Sequence, residues 1–301
     1  MSITANSGPY ISFGQAPFAD YNPEAGPSLF YAGAGLLDPR SFYTYEPGQD
    51  FGNITAGFLG FTRILSVNQV PSTLSATNLA TSQTPVSGTA VTLTAGTGVT
   101  GSTTITNAST GAAVTGLFAL DGAAGRVSFG SSGTIQLWDP TKALSRNVRI
   151  TTASGDTAVY TVRGYDIYGY PMSESITASG ATTVSGAKAF KYIASVTPVG
   201  TVGATVTVGT GDVYGFPIYS ATFVIGADAD VVISWNGAAI TSTTGYTAGV
   251  TTSPATATTG DVRGTYAVQS ASDATKRLVI TQSPSLANIS SVTGLFGVTQ
   301  A

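Results

Sequence analysis

Residue types able to do acid–base or metal chemistry are few in this chain. It has no cysteine and no histidine, which excludes a thiol nucleophile, a Ser-His-Asp triad and a Cys/His zinc site. The three glutamates are Glu24, Glu46 and Glu174. No pair of acids stands out for glycoside hydrolysis, which needs two carboxyl groups about 5–10 Å apart. A pair of aspartates that only the fold brings together is the alternative left by the sequence. We therefore expect a protein that is not an enzyme and has no cofactor.

Two short stretches have some features of ligand-binding loops. Asp228 and Asp230 in GADAD alternate as calcium ligands do, but the glycine and the twelfth-position glutamate of an EF-hand loop are missing. The glycine-rich GTGVTGSTT, residues 96–104, lacks the lysine of a phosphate-binding loop. Both stretches are predicted to be structural, with neither a metal ion nor a nucleotide bound.

The most distinctive pattern occurs twice, as DIYGYP at Asp166–Pro171 and as DVYGFP at Asp212–Pro217. Strand-like runs flank both hexapeptides, so each is predicted to be a tight turn with Gly169 or Gly215 at positive φ and the aspartate bonded to local backbone. A turn does not itself need aromatic residues, and aromatics at loop tips are common at protein interfaces. The candidate contacts with a partner subunit are therefore Tyr168, Tyr170, Tyr214 and Phe216.

From about Thr84 onward, strand-like runs bounded by Gly, Ser, Asp or Pro recur at a spacing of roughly 8–12 residues. Threonine and valine are abundant while glutamate, lysine and leucine are scarce, which favours strands over helices. The dipeptide Asn236-Gly237 suits a type I′ hairpin, and DPTKALSR is compatible with a short helical turn. Trp138 and Trp235 are expected to pack in the core or at its rim. The sequence predicts an all-β body, a β-sandwich or barrel that is immunoglobulin-like or jelly-roll-like.

Residues 1–65 differ from the rest of the chain. They hold six of the 14 prolines and 12 of the 27 tyrosine and phenylalanine residues. Prolines disfavour long helices and central strands, and a disordered linker would avoid aromatics. We expect an extended arm that is buried either against a neighbouring subunit or against its own body. Its candidate partner contacts are Phe30, Tyr31, Phe42, Tyr43, Tyr45 and Phe51.

The remainder is divided by its patterns into a β-sandwich domain at 66–211 and a second β region at 212–301, which either packs with the arm or completes the same body. The net charge is −3 and the 12 lysines and arginines are scattered, whereas a nucleic-acid binder needs clustered basic residues. No run approaches the ~20 apolar residues of a membrane span, and MSITANSGPYISFG lacks the features of a secretory signal. Neither a nucleic acid nor a membrane is expected as a partner.

One order of motifs is distinctive enough to suggest a family. VRGYDIYGYPMSESITASG contains a strand ending in Gly-x-Asp, a Gly/Pro turn and an E-x-I strand, and it is followed by KAFKYIASV and by the VGTGD end. This order resembles a β-domain that recurs in structural proteins of tailed bacteriophages, over about residues 145–280. The resemblance implies a virion component of the capsid decoration (cement) type and carries no site residues with it.

A protein of that type is made in the cytoplasm of the bacterial host and lies on the capsid exterior. Its expected partners are the major capsid protein and its own copies, as a trimer. The alternative is a phage tail, collar or head-fibre component, used in host recognition or tail assembly. Two further classes have distinguishing features of their own: a depolymerase needs a carboxylate cleft, and a surface adhesin needs an export signal.

Overall fold

The computed structural model describes residues 65–106, 112–121, 126–129, 135–138, 144–167, 169–217, 231–250, 261–282 and 300. Within these ranges there are 17 β-strands and no helix, which confirms the predicted all-β class. Apart from the end of the sixth strand, all of them belong to one compact unit that spans Arg63–Gln136 and Pro140–Ala301.

The strands are named in chain order. They are β1 (Leu65–Gln69), β2 (Ser75–Gln83), β3 (Val99–Thr106), β4 (Ala113–Leu120), β5 (Arg126–Phe129), β6 (Ile135–Trp138), β7 (Arg146–Thr152), β8 (Val159–Tyr165), β9 (Pro171–Thr177), β10 (Thr183–Ser185), β11 (Tyr192–Val199), β12 (Val206–Gly215), β13 (Val231–Trp235), β14 (Ala238–Ala239), β15 (Tyr246–Thr247), β16 (Thr265–Ala267) and β17 (Leu278–Gln282).

Three sheets account for most of these strands. A five-stranded sheet has the order β3-β4-β11-β8-β9, and a six-stranded sheet has the order β10-β7-β12-β16-β15 with β2 also paired to β12. A four-stranded sheet has the order β1-β17-β13-β14, and β5 and β6 form a two-stranded sheet. The pairings within the three larger sheets are antiparallel.

The main core lies between the five-stranded and six-stranded sheets. Along β8 and β9, residues alternate between buried and less buried positions, as expected for strands with one face on a core. The buried residues of β2, β7 and β12 form a single apolar cluster with those of β8, β9 and β11, so the two sheets make packed layers. The largest members of that cluster are Tyr160, Phe190, Leu79, Met172, Ile150, Ile176 and Ile193.

Strand β12 is the centre of the six-stranded sheet. It pairs with β7 along one edge and with β2 and then β16 along the other. Gly209 makes the pairing with β2 possible, because a Cβ there would lie 2.1 Å from the carbonyl oxygen of Ser75. Since β12 runs from Val206 to Gly215, it crosses the division that the sequence suggested between residues 211 and 212. The described residues on both sides of that division belong to the same compact unit.

Two local expectations can be compared with the structure. Asn236 and Gly237 have φ values of 53° and 83°, which confirms the hairpin predicted between β13 and β14. The segment PVSGTAVTLTAG alternates like a strand but is none of the named strands. Its Val91 N–H donates to the carbonyl of Val196 in β11 at 2.9 Å, and its Thr94 N–H donates to that of Leu79 in β2 at 2.8 Å. It therefore links the two core sheets instead of extending one of them.

Candidate functional site

Arg146, the first residue of β7, is fully buried and joins distant parts of the chain. Its Nε donates to the carbonyl of Gly211 at 2.7 Å, and its Nη1 donates to the carbonyl of Ser72 at 2.9 Å and to Asp121 Oδ1 at 3.1 Å. Asp121 follows β4 with a φ of 52°, a conformation that aspartate tolerates better than most residues. Burial acts to lower the pKa of Arg146, but attraction to Asp121 and its neighbours outweighs burial, and the pKa is raised above its ordinary value.

The other side of the Arg146 guanidinium meets the second hexapeptide. Its Nη2 donates to Asp212 Oδ1 at 2.7 Å and to Ser272 Oγ at 3.1 Å. Asp212 Oδ1 also accepts from the Tyr214 hydroxyl at 2.8 Å, and the guanidinium carbon lies 5.4 Å from the centre of the Tyr214 ring. Burial raises the pKa of Tyr214. We call Arg146, Asp121, Asp212 and Tyr214 the Arg146 cluster.

The first hexapeptide meets a different buried arginine. Arg263 Nη1 donates to Asp166 Oδ2 at 2.8 Å, and Arg263 Nη2 lies 3.5 Å from Asp261 Oδ1. Asp166 Oδ1 accepts from the backbone N–H of Tyr170 at 2.9 Å, while Gly169 turns the chain with a φ of 83°. One aspartate therefore closes its own turn and binds a residue 97 positions away. We call Arg263, Asp166 and Asp261 the Arg263 cluster.

Glu174 in β9 is buried close to Lys188. Its Oε1 accepts from the backbone N–H groups of Ala187 at 2.6 Å and Lys188 at 3.0 Å, and its buried Oε2 has no hydrogen-bond partner among the described residues. Burial raises the pKa of Glu174 to about 7, partly opposed by these two bonds. Lys188 Nζ donates to the carbonyl of Ser173 at 3.0 Å, and burial lowers the pKa of Lys188. Asp261 acts on both groups, repelling Glu174 and attracting Lys188.

These buried charges hold strands together; they do not face a solvent cleft. The Arg146, Arg263 and Asp166 side chains are at most 1% exposed, and each makes at least one ion pair. Removing one partner from such a pair typically costs about 3–5 kcal/mol, because the other charge is left buried. Within the described ranges, no group of three or more acidic side chains is placed to hold a metal ion. No helix in the same ranges is long and apolar enough to cross a bilayer.

The solvent-side face of strands β11, β8 and β9 is built differently. Cross-strand register places Arg163 beside Ser173 and Ser195, Thr161 beside Ser175 and Thr197, and Val159 beside Thr177 and Val199. We call these three rows, with Tyr165 and Pro171 beyond them, the outer face. Arg163 is the only charged residue among its 11 members, and Val159 and Val199 are 36% and 58% exposed.

A cavity of about 400 Å³ opens at one end of the outer face. Tyr165, Pro171, Ser195 and Arg163 line it, and so does Gln300. Gln300 forms a parallel bridge with Met172 on the free edge of β9: its N–H donates to the carbonyl of Pro171 at 2.9 Å, and its carbonyl accepts from Ser173 N–H at 2.9 Å. The Gln300 side chain is buried, with Oε1 accepting from Val262 N–H at 3.2 Å and Nε2 unpaired among the described residues.

The structure corrects the interpretation of the second hexapeptide. Gly215 does not have a positive φ and ends strand β12, where a Cβ would lie 2.5 Å from Ser145 Oγ and 2.8 Å from Ala189 Cβ. Tyr214 and Phe216 are fully buried inside the chain, so the expectation that they form partner contacts at a loop tip is wrong. The reason is that Tyr214 bonds to Asp212 while the Phe216 ring packs 5.9 Å from that of Tyr246.

The first hexapeptide is a turn, as expected, but it is not a protruding tip. Asp166, Ile167 and Gly169 are buried, and Tyr170 is half-buried. Trp235 is 5% exposed and packs 6.2 Å from the Tyr214 ring, as a core or rim residue should. The other candidate residues lie outside the described residues; they are Tyr168, Phe30, Tyr31, Phe42, Tyr43, Tyr45, Phe51, Asp228 and Asp230.

Sequence reasoning missed that Arg146, Arg263, Lys188 and Glu174 are buried charged residues. The repeated aspartates were the signal, since a chain that is only 9% charged has few partners to offer each of them. Comparisons of this chain with protein families, with curated protein sequences and with solved structures find no match.

Proposed function

We propose that this protein is a non-enzymatic structural component of a tailed-bacteriophage virion, bound to the outside of the capsid shell as a decoration protein. The observation that carries the proposal is the use of the buried charges. In the described part of the chain they join strands to one another, and buried hydrogen-bonded networks of this kind rigidify a fold, which suits a structural component.

The contrast between interior and surface points the same way. The interior contains ionised groups that are costly to bury, while the outer face of β11, β8 and β9 carries a single charge, at Arg163. Arg163 is the one ionised group of this face that a neighbour would have to pair, and its six serine and threonine hydroxyls would need hydrogen-bond partners in the contact. Such a face suits permanent contact with a neighbouring subunit.

The sequence adds the family expectation. The motifs between residues 145 and 280 resemble a β-domain of phage structural proteins, and residues 1–65 have the composition of an arm that is buried against something. A decoration protein that reaches its neighbours with an extended arm gains buried area without a larger body, and apolar burial contributes about 25 cal/mol per Å².

The test is to locate the protein in purified particles. Virions are separated into full capsids and detached tails, and each fraction is analysed by quantitative mass spectrometry and by gold labelling with antibodies against residues 231–250. We expect the protein in the capsid fraction at a fixed ratio to the major capsid protein, with label over the shell.

Each alternative has its own outcome. Label confined to tails, collars or fibres would transfer the protein to the tail, collar or head-fibre class. Its absence from virions, with turnover of host polysaccharide by the purified chain, would overturn the proposal in favour of an enzyme.

A further inference from the structure

We propose that Lys188 is a switch operated by pH at the edge of β9. Its ammonium group caps the Ser173 carbonyl while Glu174 is protonated, and it pairs with the Glu174 carboxylate once Glu174 is ionised. Three observations carry this proposal: a buried carboxyl oxygen that lacks a partner, a lysine held one residue away from it, and the arrangement of the other charges around the pair.

The carboxyl group of Glu174 is enclosed by the segment that leads from β10 to β11. Its Oε1 accepts from the backbone N–H groups of Ala187 at 2.6 Å and Lys188 at 3.0 Å. Its Oε2 lies so close to Gly186 that a Cβ added there would collide with it, and this oxygen is buried without a hydrogen-bond partner among the described residues. A neutral carboxyl group tolerates such a position far better than a carboxylate, because a buried charge needs a partner.

Lys188 contacts two successive residues of β9. Its backbone N–H bonds to Glu174 Oε1, while its Nζ donates to the Ser173 carbonyl at 3.0 Å. Charge attraction between Lys188 and Glu174 already acts in this arrangement. Lysine has a flexible four-carbon stem and three donors, so the ammonium group can exchange the carbonyl for the carboxylate while the backbone bonds of the segment stay in place.

The carbonyl that Lys188 caps belongs to the outward edge of β9. Along this edge Gln300 N–H donates to the Pro171 carbonyl at 2.9 Å, Ser173 N–H donates to the Gln300 carbonyl at 2.9 Å, and Lys188 makes the next bond. Lysine is a common guard of strand edges. Here the guard is controlled by the acid beside it, and its release uncovers the Ser173 carbonyl while the two Gln300 bonds remain.

The charges around the pair favour the exchange. Asp261, from the segment before β16, repels Glu174 and attracts Lys188. Arg263 Nη2 lies 3.5 Å from Asp261 Oδ1, and Arg263 Nη1 pairs with Asp166 of the β8–β9 turn at 2.8 Å. Because Arg263 is engaged with two aspartates, Lys188 is the cation that is placed to neutralise Glu174.

The change of state falls near neutral pH. Burial raises the pKa of Glu174 to about 7, so below that pH Glu174 is protonated and Lys188 stays on Ser173. Above it the carboxylate is charged and attracts the ammonium group. Burial lowers the pKa of Lys188, and attraction to Glu174 and Asp261 opposes this effect, so ionisation of Glu174 favours the charged lysine that the exchange requires. The edge is therefore capped in acid and uncovered in mild alkali.

Nuclear magnetic resonance of the full chain can follow each group, since it has three glutamates and four lysines. The chain is labelled at the glutamate carboxyl carbons, the lysine Nζ atoms and the Ser173 carbonyl carbon, and Glu174→Gln assigns the Glu174 signal. In a titration from about pH 5 to about pH 9, we expect Glu174, Lys188 Nζ and the Ser173 carbonyl to change with one common midpoint near 7. Lys191 is the matched control, because its buried Nζ donates to the Leu120 carbonyl at 2.7 Å, and its signal should not follow.

Two variants distinguish an exchanging lysine from one that only stays on Ser173. In Glu174→Gln, the Lys188 and Ser173 signals should lose their pH response. In Lys188→Met, Glu174 should become at least a tenfold weaker acid, a rise in midpoint of about one pH unit or more, because its carboxylate loses the cation.

Three results would overturn the switch. They are a Glu174 signal that does not titrate in this range, a Glu174 titration that leaves the Lys188 and Ser173 signals unchanged, and an unaltered midpoint in Lys188→Met. The titration of the natural chain decides the matter even where Lys188→Met does not fold. All of these measurements use the purified chain, so their failure would leave the proposed location in the virion intact.

Discussion

The hexapeptides DIYGYP and DVYGFP differ in backbone conformation but share one interaction, an ion pair between the aspartate and a buried arginine. In the first, Gly169 at a φ of 83° makes a turn between β8 and β9. In the second, the corresponding Gly215 ends strand β12 and does not have a positive φ. Yet both aspartates pair with a buried arginine, Asp166 with Arg263 at 2.8 Å and Asp212 with Arg146 at 2.7 Å.

This comparison shows which residue of the pattern has the common role. Glycine is required for two different reasons, a left-handed conformation at Gly169 and the absence of a side chain at Gly215. Aspartate is required for the same reason at both places, because it forms an ion pair that joins distant segments of the chain. Since Asp166, Asp212, Tyr214 and Phe216 are buried, the proposed function would need a contact surface elsewhere in the described chain, and the outer face, with Arg163 as its single charge, is our candidate.

The largest expected effect comes from removing a buried arginine. Arg146→Met leaves Asp121 and Asp212 without their cation, so we expect the free energy of unfolding to fall by about 3–5 kcal/mol, measured by urea denaturation. Arg263→Met should lose a similar amount if the two clusters have the same role. The matched control, Arg149→Met on the same strand as Arg146, should change stability by about 0.5 kcal/mol or less. A loss below about 1 kcal/mol for either buried arginine would break the comparison.

The two clusters should differ in their response to pH, because only the Arg263 cluster has Glu174 nearby. The pKa of Glu174 is raised by burial from 4.5 to about 7, so the folded chain holds this proton more tightly than the unfolded chain. The stability due to Glu174 is therefore complete below about pH 4.5, declines as pH rises and is lost above about pH 7.

The measurement is the difference in unfolding free energy between the natural chain and Glu174→Gln across this range. We expect the natural chain to lose stability relative to the variant by up to about 1.4 kcal/mol per pH unit. A difference that stays constant from pH 4 to 8, or that rises with pH, would contradict the assignment.

Substitutions of the two glycines separate conformation from crowding. Gly169→Val and Gly215→Val should each cost about 1–2 kcal/mol, the first through strain at positive φ and the second through overpacking. Asparagine tolerates positive φ, so Gly169→Asn should recover most of the loss. At Gly215, where a Cβ would lie 2.5 Å from Ser145 Oγ, Gly215→Asn should recover none. Equal recovery at both positions, measured by thermal denaturation, would mean that the two backbones are alike after all.

The smallest effect concerns the aromatic residues of the pattern. Tyr214→Phe removes one hydrogen bond to Asp212 and should cost about 1 kcal/mol, because Arg146 and Ser272 still hold that carboxylate. Tyr170→Phe changes a half-buried residue and should alter stability by about 0.5 kcal/mol or less. A larger loss at Tyr170 than at Tyr214, by urea denaturation, would reverse the order of importance given to the two hexapeptides.

Much of the fold was predictable because strand patterns are local. The runs RNVRITT, VYTVRGY and LVITQ became β7, β8 and β17, and Asn236-Gly237 fixed its own hairpin through backbone preferences alone. Strand β2, with the sequence SATNLATSQ, was missed because its apolar residues lie in the middle of a polar run and do not alternate.

The charged clusters were not predictable for a physical reason. Arg146 contacts residues that are between 25 and 126 positions away in sequence, and no local pattern encodes which arginine meets which aspartate. The position of Phe216 was misjudged for the same reason: burial by Tyr246 follows from sheet packing between distant strands. The repeated hexapeptide indicated a shared role, but only the contacts in the folded chain show that this role is an ion pair between its aspartate and a buried arginine.

Hydroxyl-radical footprinting of the free protein and of virions tests the central claim most directly, since side-chain oxidation reports exposure residue by residue. The account predicts that Tyr214 and Phe216 are unreactive in both states, whereas Tyr165 and Pro171 on the outer face react in the free protein and become protected in the particle. Reactive Tyr214 and Phe216 in the free protein that become protected in virions, with Tyr165 unchanged, would contradict it.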